Sequence, residues 1–321
     1  MKYIGYLLIA IMISSVAEAG VIRDWITNRS HSEASSQIKK LSDISYGEDK
    51  KQSLDLYLPA NPKNAPIIVM VHGGAWKMGD KRSDNVVQNK MNRWVSKGTI
   101  FVSLNYRLVP KVDPQQQAED VATALAYVES HAVSWGGDAS KVILMGHSAG
   151  AHLVSLISAN PEKYVSLGLK PWLGTVSLDT ATMDLVQTME RKHYDFYDDV
   201  FGSDKNVWMQ DSPLYQLDRS APPMLLVCSS VREDKPCEGS KPFMAKGTNM
   251  GLRIEMSEQP LSHGEINDEL GKPNGYTERV EQFIRSLGVA LIDLPCKHIA
   301  GVKHSQGNEQ GKDYPQMNPV E

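Results

Sequence analysis

A serine at the apex of a tight turn between a buried strand and a helix is the most constraining feature of this sequence. Residues Lys141–Gly150 form an apolar run that ends in Gly-x-Ser-x-Gly. Such a turn forces Ser148 into a strained backbone conformation, so Gly146 and Gly150 keep the space beside it free. Residues 151–158 have helical spacing, which places the serine at a helix N-terminus, where negative charge is favoured. The pattern predicts a nucleophilic serine, and a purely structural turn is the alternative.

A second buried-strand pattern, Ala65–Val71, runs directly into His-Gly-Gly at positions 72–74. Attack of a serine on an acyl carbon produces an oxyanion, and N–H donors must already face it. Consecutive glycines let backbone amides approach closely because no Cβ intervenes. We therefore predict that the backbone N–H groups of Gly73, Gly74 and Ala149 form an oxyanion hole. The alternative interpretation is an ordinary loop after a strand.

With these motifs the chain resembles the α/β-hydrolase superfamily, in the esterase and lipase branch that carries a His-Gly-Gly oxyanion motif. The resemblance covers about residues 43–287 and departs at Ala75, where many members carry a third glycine. It implies the α/β-hydrolase fold and a chain order of serine, acid, histidine, with the last two on loops after late strands. The other segments that fit are Gly79-Asp80-Lys81-Arg82, Asn105-Tyr106-Arg107-Leu108 and Gly136-Gly137-Asp138.

His263 is the predicted general base. It follows the alternating segment Leu252–Met256 and lies beside a glycine, at the position where the resembled family carries its histidine. An imidazole can take the proton of the Ser148 hydroxyl and return it to the leaving group. His152 is the alternative base, although its place on the helix after the serine keeps it from the leaving-group side.

Asp234 is the predicted acid that holds the imidazole and stabilises its charged form. It lies in a polar loop behind the buried-strand pattern Met224–Cys228, and it resembles the family's acid position. The neighbouring Glu233 is the alternative. Ser148, Asp234 and His263 would then meet beyond the C-terminal ends of the strands, where ligands gather in open α/β sheets.

Strand and helix patterns alternate along the chain, which predicts a mostly parallel twisted sheet with helices on both faces. Helical spacing is found at Val86–Ser96, Pro114–His131, Ala149–Ala159, Ser240–Met250 and Tyr276–Ser286. Strand patterns are found at Ser53–Leu58, Ile67–Val71, Ile100–Leu104, Val142–Met145, Gly174–Leu178, Met224–Cys228 and Leu252–Met256.

The alternation fails between Thr180 and Leu217, where aromatic and other bulky apolar residues are mixed with acidic ones. We expect a small cap over the site in segment 180–217, and an ordinary connecting helix and loop is the alternative. Trp76 follows the oxyanion glycines directly. It is a candidate for the substrate pocket, or it packs under the loop.

The ends of the chain differ from its centre. Lys2, an apolar stretch and Ala17-Glu18-Ala19 are typical of a secretory signal, which predicts a signal peptide at residues 1–19 and no stable membrane anchor. An uncleaved anchor is the alternative. A hydrolase domain is then expected at 20–299, and a disordered tail at 300–321 because periodicity is lost there. The protein would be periplasmic or secreted.

Export permits disulfides, and a bridge between Cys228 and Cys237 would close the segment that holds Asp234. Two free thiols are the alternative. The formal net charge of −4, with both signs interspersed, argues against nucleic acid as a partner. The histidines lack zinc-ligand spacing, so we expect no metal and no cofactor. The oligomeric state is left open.

These observations predict an exported serine hydrolase, a carboxylesterase that transfers the acyl group of a small-molecule ester to Ser148 and then to water. An arylformamidase or another amide hydrolase on the same triad is the alternative within enzymes. A catalytically inactive binding protein on a hydrolase scaffold is the alternative from another class.

Overall fold

An eight-stranded sheet forms the centre of the computed structural model, which describes residues 38–291. The strands are β1 (Lys39–Ser45), β2 (Ser53–Leu58), β3 (Ala65–Val71), β4 (Ile100–Leu104), β5 (Gly137–His147), β6 (Gly174–Leu178), β7 (Met224–Ser229) and β8 (Ile254–Gln259). Their order across the sheet is β1-β2-β4-β3-β5-β6-β7-β8. Strand β2 pairs antiparallel with β1 and β4, and the pairs from β4 to β8 are parallel. The predicted mostly parallel sheet is confirmed.

Helices cover both faces of this sheet. They are α1 (Asp84–Trp94), α2 (Pro114–His131), α3 (Ala149–Ala159), α4 (Leu185–Met189), α5 (Phe196–Phe201), α6 (Lys205–Asp211), α7 (Pro213–Gln216), α8 (Pro236–Asn249), α9 (His263–Asp268) and α10 (Gly275–Ser286). Within residues 38–291, no helix combines the length and the apolar character that a membrane span requires.

The side chains of the central strand β3 divide between two hydrophobic clusters. Ile67 and Val69 pack in one cluster, whereas Ile68 and Met70 pack in the other, on the opposite face. Successive side chains of a strand point to opposite faces, so an uninterrupted apolar run identifies a strand buried on both sides. This explains why the strand pattern at β3 was found correctly, whereas the alternating pattern at Leu252–Met256 begins two residues before β8.

Strand β1 was missed because most of its residues are exposed, so that it has no apolar run. Segment 180–217 contains the four short helices α4 to α7, which accounts for the lost alternation. We call residues 180–217 the cap segment after the prediction; that they cover the site stays a prediction. The predicted signal peptide at 1–19 and the predicted tail at 300–321 lie outside the described residues.

A disulfide joins Cys228, the next-to-last residue of β7, to Cys237, in the first turn of α8. The two sulfurs are 2.09 Å apart and the two Cα atoms 5.2 Å apart. Both side chains are buried. The bridge therefore closes the short loop between β7 and α8, which lies at the C-terminal edge of the sheet.

A buried carboxyl group on α2 makes the stability of this fold depend on pH. Glu129 is 4% exposed, and its Oε2 accepts a hydrogen bond of 3.0 Å from the backbone N–H of Lys170. Its Oε1 has no hydrogen-bond partner among the described residues. Burial raises the pKa of Glu129 to about 7, because removal from water disfavours the charged form.

Glu129→Gln should stabilise the protein above neutral pH. The unfolded carboxyl ionises near pH 4.3, whereas the folded one keeps its proton to about pH 7. The free energy of unfolding therefore falls across that interval, and the whole cost is present above it. We expect a gain of up to about 4 kcal/mol at pH 8 and little change at pH 4. Urea unfolding at both pH values measures this, with the exposed Glu119→Gln as control; an equal gain at both would contradict the assignment.

Candidate active site

Ser148 lies in a strained turn between β5 and α3. Its φ is 56° and its ψ is −120°, a conformation that residues with a side chain rarely adopt. A Cβ at Gly146 would lie 2.4 Å from the carbonyl oxygen of Gly150, and one at Gly150 would lie 2.3 Å from that of Val71. Glycine is thus required at both positions by close backbone contact, and the turn presents the serine at the edge of the sheet.

His263 contacts the serine directly. Its Nε2 lies 2.9 Å from the Oγ of Ser148. His263 is the first residue of α9, whose N-cap, Ser262, forms a capping box with Glu265. His147, the last residue of β5, lies 2.9 Å through its Nε2 from the carbonyl oxygen of His263. Burial, reinforced by the nearby His263 ring, holds the pKa of His147 well below its usual range, so this neutral ring donates to that carbonyl.

The carboxylate that contacts His263 belongs to Asp179, the residue that follows β6. Its Oδ2 lies 2.6 Å from the Nδ1 of His263, and its Oδ1 accepts a 2.8 Å hydrogen bond from the backbone N–H of Ser229. Burial alone would raise the pKa of Asp179. The hydrogen bond from His263 and the charge of Arg232 outweigh burial and hold it well below its usual range.

The prediction that Asp234 is this carboxylate is wrong, because Asp234 does not contact His263. Asp234 instead pairs with Arg232, whose Nε donates to its Oδ1 at 2.9 Å and whose Nη2 contacts its Oδ2. The loop after β7 therefore turns the guanidinium of Arg232, not a carboxylate, toward His263. The alternative, Glu233, is exposed. A signal for Asp179 was present, since an acidic residue directly follows the predicted strand Gly174–Leu178.

These distances fix the tautomer of His263. An ionised carboxylate 2.6 Å from Nδ1 can only accept, so the ring proton lies on Nδ1. The lone pair on Nε2 then accepts from the hydroxyl of Ser148. This is the arrangement in which the imidazole can remove the serine proton when the oxygen attacks an electrophile.

The glycine loop after β3 lies against the nucleophile. A Cβ at Gly73 would lie 2.8 Å from the Cβ of Ser148, and Gly74 has a φ of +124°. Within residues 38–291, neither of these glycines donates a backbone hydrogen bond. Ala149 is the first residue of α3, so its N–H has no acceptor inside the helix. The three predicted oxyanion donors therefore belong to segments that meet at Ser148.

The side chain of His72 stabilises this loop. Its Nδ1 lies 2.7 Å from the carbonyl oxygen of Gly73, and its ring stacks on Tyr106 with centroids 4.6 Å apart. The hydroxyl of Tyr106 donates to the carbonyl oxygen of His72 at 3.0 Å. Burial lowers the pKa of His72 to about 4, so the ring is neutral and acts as a structural donor.

Trp76 packs beneath the cap segment. It is 3% exposed, and its ring contacts Tyr197 and Phe201 of α5. Its Nε1 donates to the Nδ1 of His152 at 3.1 Å, and the Nε2 of His152 lies 2.7 Å from the carbonyl oxygen of Asp211. Both ring nitrogens of His152 are thus engaged away from Ser148, which leaves His263 as the histidine at the serine.

Comparison with known proteins identifies the family. The BD-FAE family model matches residues 54–246, which is more than half of the chain. The chain belongs to the BD-FAE family. The match begins in β2 and ends in α8, so it includes Ser148 and Asp179, while His263 follows it.

Curated relatives of this BD-FAE protein include two mycobacterial esterases and a plant one. Esterase LipC of Mycobacterium tuberculosis is 28% identical and the match covers 63% of this chain and 54% of LipC. Esterase LipQ of the same organism is 27% identical over 69% of this chain and 56% of LipQ. The probable isoprenylcysteine alpha-carbonyl methylesterase ICMEL1 of Arabidopsis thaliana is 33% identical, and the match covers 35% of this chain and 23% of ICMEL1. The chain thus spans about half the length of the mycobacterial relatives, and less of the plant one.

Solved structures resemble the fold as a whole. A truncated carbohydrate esterase from gut microbiota superposes with a TM-score of 0.67 at 19% identity, covering 78% of this chain and 97% of that one. Esterase B from Lactobacillus rhamnosis superposes with a TM-score of 0.63 at 21% identity, covering 85% of this chain and 95% of that one. At such identities the similarity concerns the fold, and the predicted α/β-hydrolase fold is confirmed.

Asp179→Asn should abolish most turnover, whereas Asp234→Asn should not. An amide at position 179 would accept poorly from Nδ1–H and would favour the wrong ring tautomer, which costs about 10⁴-fold in kcat in a comparable triad. Asparagine at position 234 keeps one oxygen for Arg232, so we expect kcat within about tenfold of wild type at the pH optimum. Steady-state kinetics on p-nitrophenyl acetate, with melting curves for both variants, measure this. The reverse order of damage would restore Asp234 as the acid.

Proposed function

We propose that this protein is a serine carboxylesterase that forms an acyl-enzyme on Ser148. The hydrogen-bond chain from Ser148 through His263 to Asp179 supports the proposal most strongly, because a serine hydroxyl needs an oriented general base to become nucleophilic. The esterases among its curated relatives point to the same chemistry.

In this proposal the reaction proceeds in two halves. The Oγ of Ser148 attacks the carbonyl carbon of the ester while the Nε2 of His263 takes its proton. The N–H groups of Gly73, Gly74 and Ala149 stabilise the oxyanion. His263 then protonates the departing alcohol, and water repeats the sequence to release the acid. Asp179 stays ionised throughout and stabilises the transient imidazolium.

Hydrolysis of p-nitrophenyl esters from acetate to laurate tests the proposal. Wild type should turn over at least one chain length, and Ser148→Ala should lose about 10⁴-fold or more in kcat. Ser140→Ala, an exposed serine at the start of β5, is the matched control and should behave as wild type. An alkyl fluorophosphonate should modify the peptide that contains Ser148.

Three outcomes would count against it. Equal turnover by Ser148→Ala would exclude the serine mechanism. No turnover of any ester, together with hydrolysis of an aryl formamide, would move the enzyme to amide chemistry. Neither turnover nor phosphonate labelling of the folded protein would favour a binding protein on the hydrolase scaffold.

We also propose that the protein is exported. The support comes from Lys2, the apolar stretch that follows it and the Ala17-Glu18-Ala19 sequence. The disulfide between Cys228 and Cys237 agrees with this, since such bonds persist mainly in oxidising compartments.

Expression of the whole chain in a bacterial host tests export. The intact mass of the protein in the periplasm or medium should correspond to a chain that begins at Gly20. Ala19→Asp, which removes the small residue before the cleavage site, should leave the longer precursor. An uncleaved wild-type chain confined to the cytoplasm would contradict the proposal.

A further inference from the structure

Arg232 lies between two carboxylates at the base of the candidate triad. Its Nη1 donates to the Oδ2 of Asp179 at 2.7 Å, while its Nε donates to the Oδ1 of Asp234 at 2.9 Å. Its side chain is 17% exposed. The same Nη1 lies 3.0 Å from the Nδ1 of His263. The guanidinium is therefore in contact with both the acid and the base.

The contact with His263 cannot be a hydrogen bond in the productive tautomer. The proton on Nδ1 points to Asp179, so Nη1 and Nδ1 are two donors that share one acceptor oxygen. A fixed positive charge at this distance opposes the formation of an imidazolium, and it stabilises the ionised form of Asp179. Arg232 thus acts on both members of the pair without touching Ser148.

The loop that carries Arg232 is held on both sides. The disulfide between Cys228 and Cys237 closes it. The Oγ of Ser229 donates to the carbonyl oxygen of Leu261 at 2.7 Å, and the backbone N–H of Ser229 donates to Asp179. Because these bonds fix the loop relative to β6 and β8, the guanidinium is placed by the fold and not by the ion pair alone.

Apart from the carboxylates of Asp179 and Asp234, the titratable groups around the pair are shifted by burial toward their neutral forms. Burial lowers the pKa of His147 and of Lys90 on α1, the latter to about 7, and it raises those of Tyr197 and Tyr276, so both phenols are neutral. The groups that face His263 or its partners are His147 of β5, Asp179 after β6, Arg232 and Asp234 after β7, Tyr197 of the cap segment, Tyr276 of α10 and Lys90 of α1.

We propose that Arg232 is a positioning residue of this esterase site, whose positive charge holds the Asp179 carboxylate ionised against His263 and, 3.0 Å from its Nδ1, opposes a positive charge on the ring. The inference rests on the proposed serine mechanism. It assigns to the loop after β7 an electrostatic role, whereas the sequence had predicted that this loop supplies the acid.

The pH dependence of kcat/KM for p-nitrophenyl acetate tests the proposal, because its acid limb reports the protonation of the base in the free enzyme. Arg232→Gln should move that limb to higher pH by about one unit, since a neighbouring positive charge is removed. Arg232→Lys keeps the charge but not the planar fork. Arg232→Lys should lower the plateau value of kcat/KM, while its acid limb moves by less than half as much as that of Arg232→Gln.

The matched control is Arg253→Gln, which removes a guanidinium that pairs with Glu255 at the opposite end of β8. Its limb should coincide with that of wild type. An unmoved limb in Arg232→Gln, whatever the loss in plateau rate, would overturn the proposal and leave Arg232 with a purely structural role. Should Arg232→Gln not fold, a limb displaced by a full unit in Arg232→Lys would overturn it equally.

Parallel assays separate this inference from the proposed function. Retained turnover by Ser148→Ala would refute the serine mechanism, and the assignment of Arg232 would fall with it. Turnover that requires Ser148, combined with an unmoved acid limb in Arg232→Gln, would refute only the role of Arg232.

Discussion

The buried carboxylate of Asp179 is the interaction on which the C-terminal edge of the sheet depends. A bare charge in a protein interior is costly, so it persists only where donors surround it. Here the donors come from different elements: the backbone of Ser229, the guanidinium of Arg232 and the ring of His263. The ends of β6, β7 and β8 therefore converge on one negative charge, and the position of each depends on the other two.

The nucleophile is fixed by a different kind of constraint. Ser148 owes its place to backbone packing, since the glycines on either side of it are in contact with carbonyl oxygens. The backbone conformation of the turn thus orients the serine, whereas charge and hydrogen bonds orient the histidine and the acid. The two parts meet at one contact, the 2.9 Å separation between Ser148 and His263.

Features that depend on a local residue pattern were predicted correctly from the sequence. Most of the strands were found from apolar runs, and Ser148 from the glycines that its turn requires. Asp179 was missed because its role depends on a neighbour 84 positions away, and the position after β7 offered a more familiar acid in Asp234. The charge of Asp234 is instead neutralised by Arg232, and no periodicity in the sequence predicts this ion pair. Strand β1 is too exposed for an apolar run, and α9 spans only His263–Asp268, too short for a recognisable helical pattern.

The chain of contacts from Trp76 through His152 to Asp211 joins three separate pieces of the molecule: the loop after β3, the helix behind the serine and the cap segment. His152 has no ring nitrogen left over, so a change on either side of it leaves a buried polar atom without its partner. The cap segment is consequently not an interchangeable module on this scaffold. A foreign cap would have to bring its own acceptor for His152, or evolve together with the helix that follows the nucleophile.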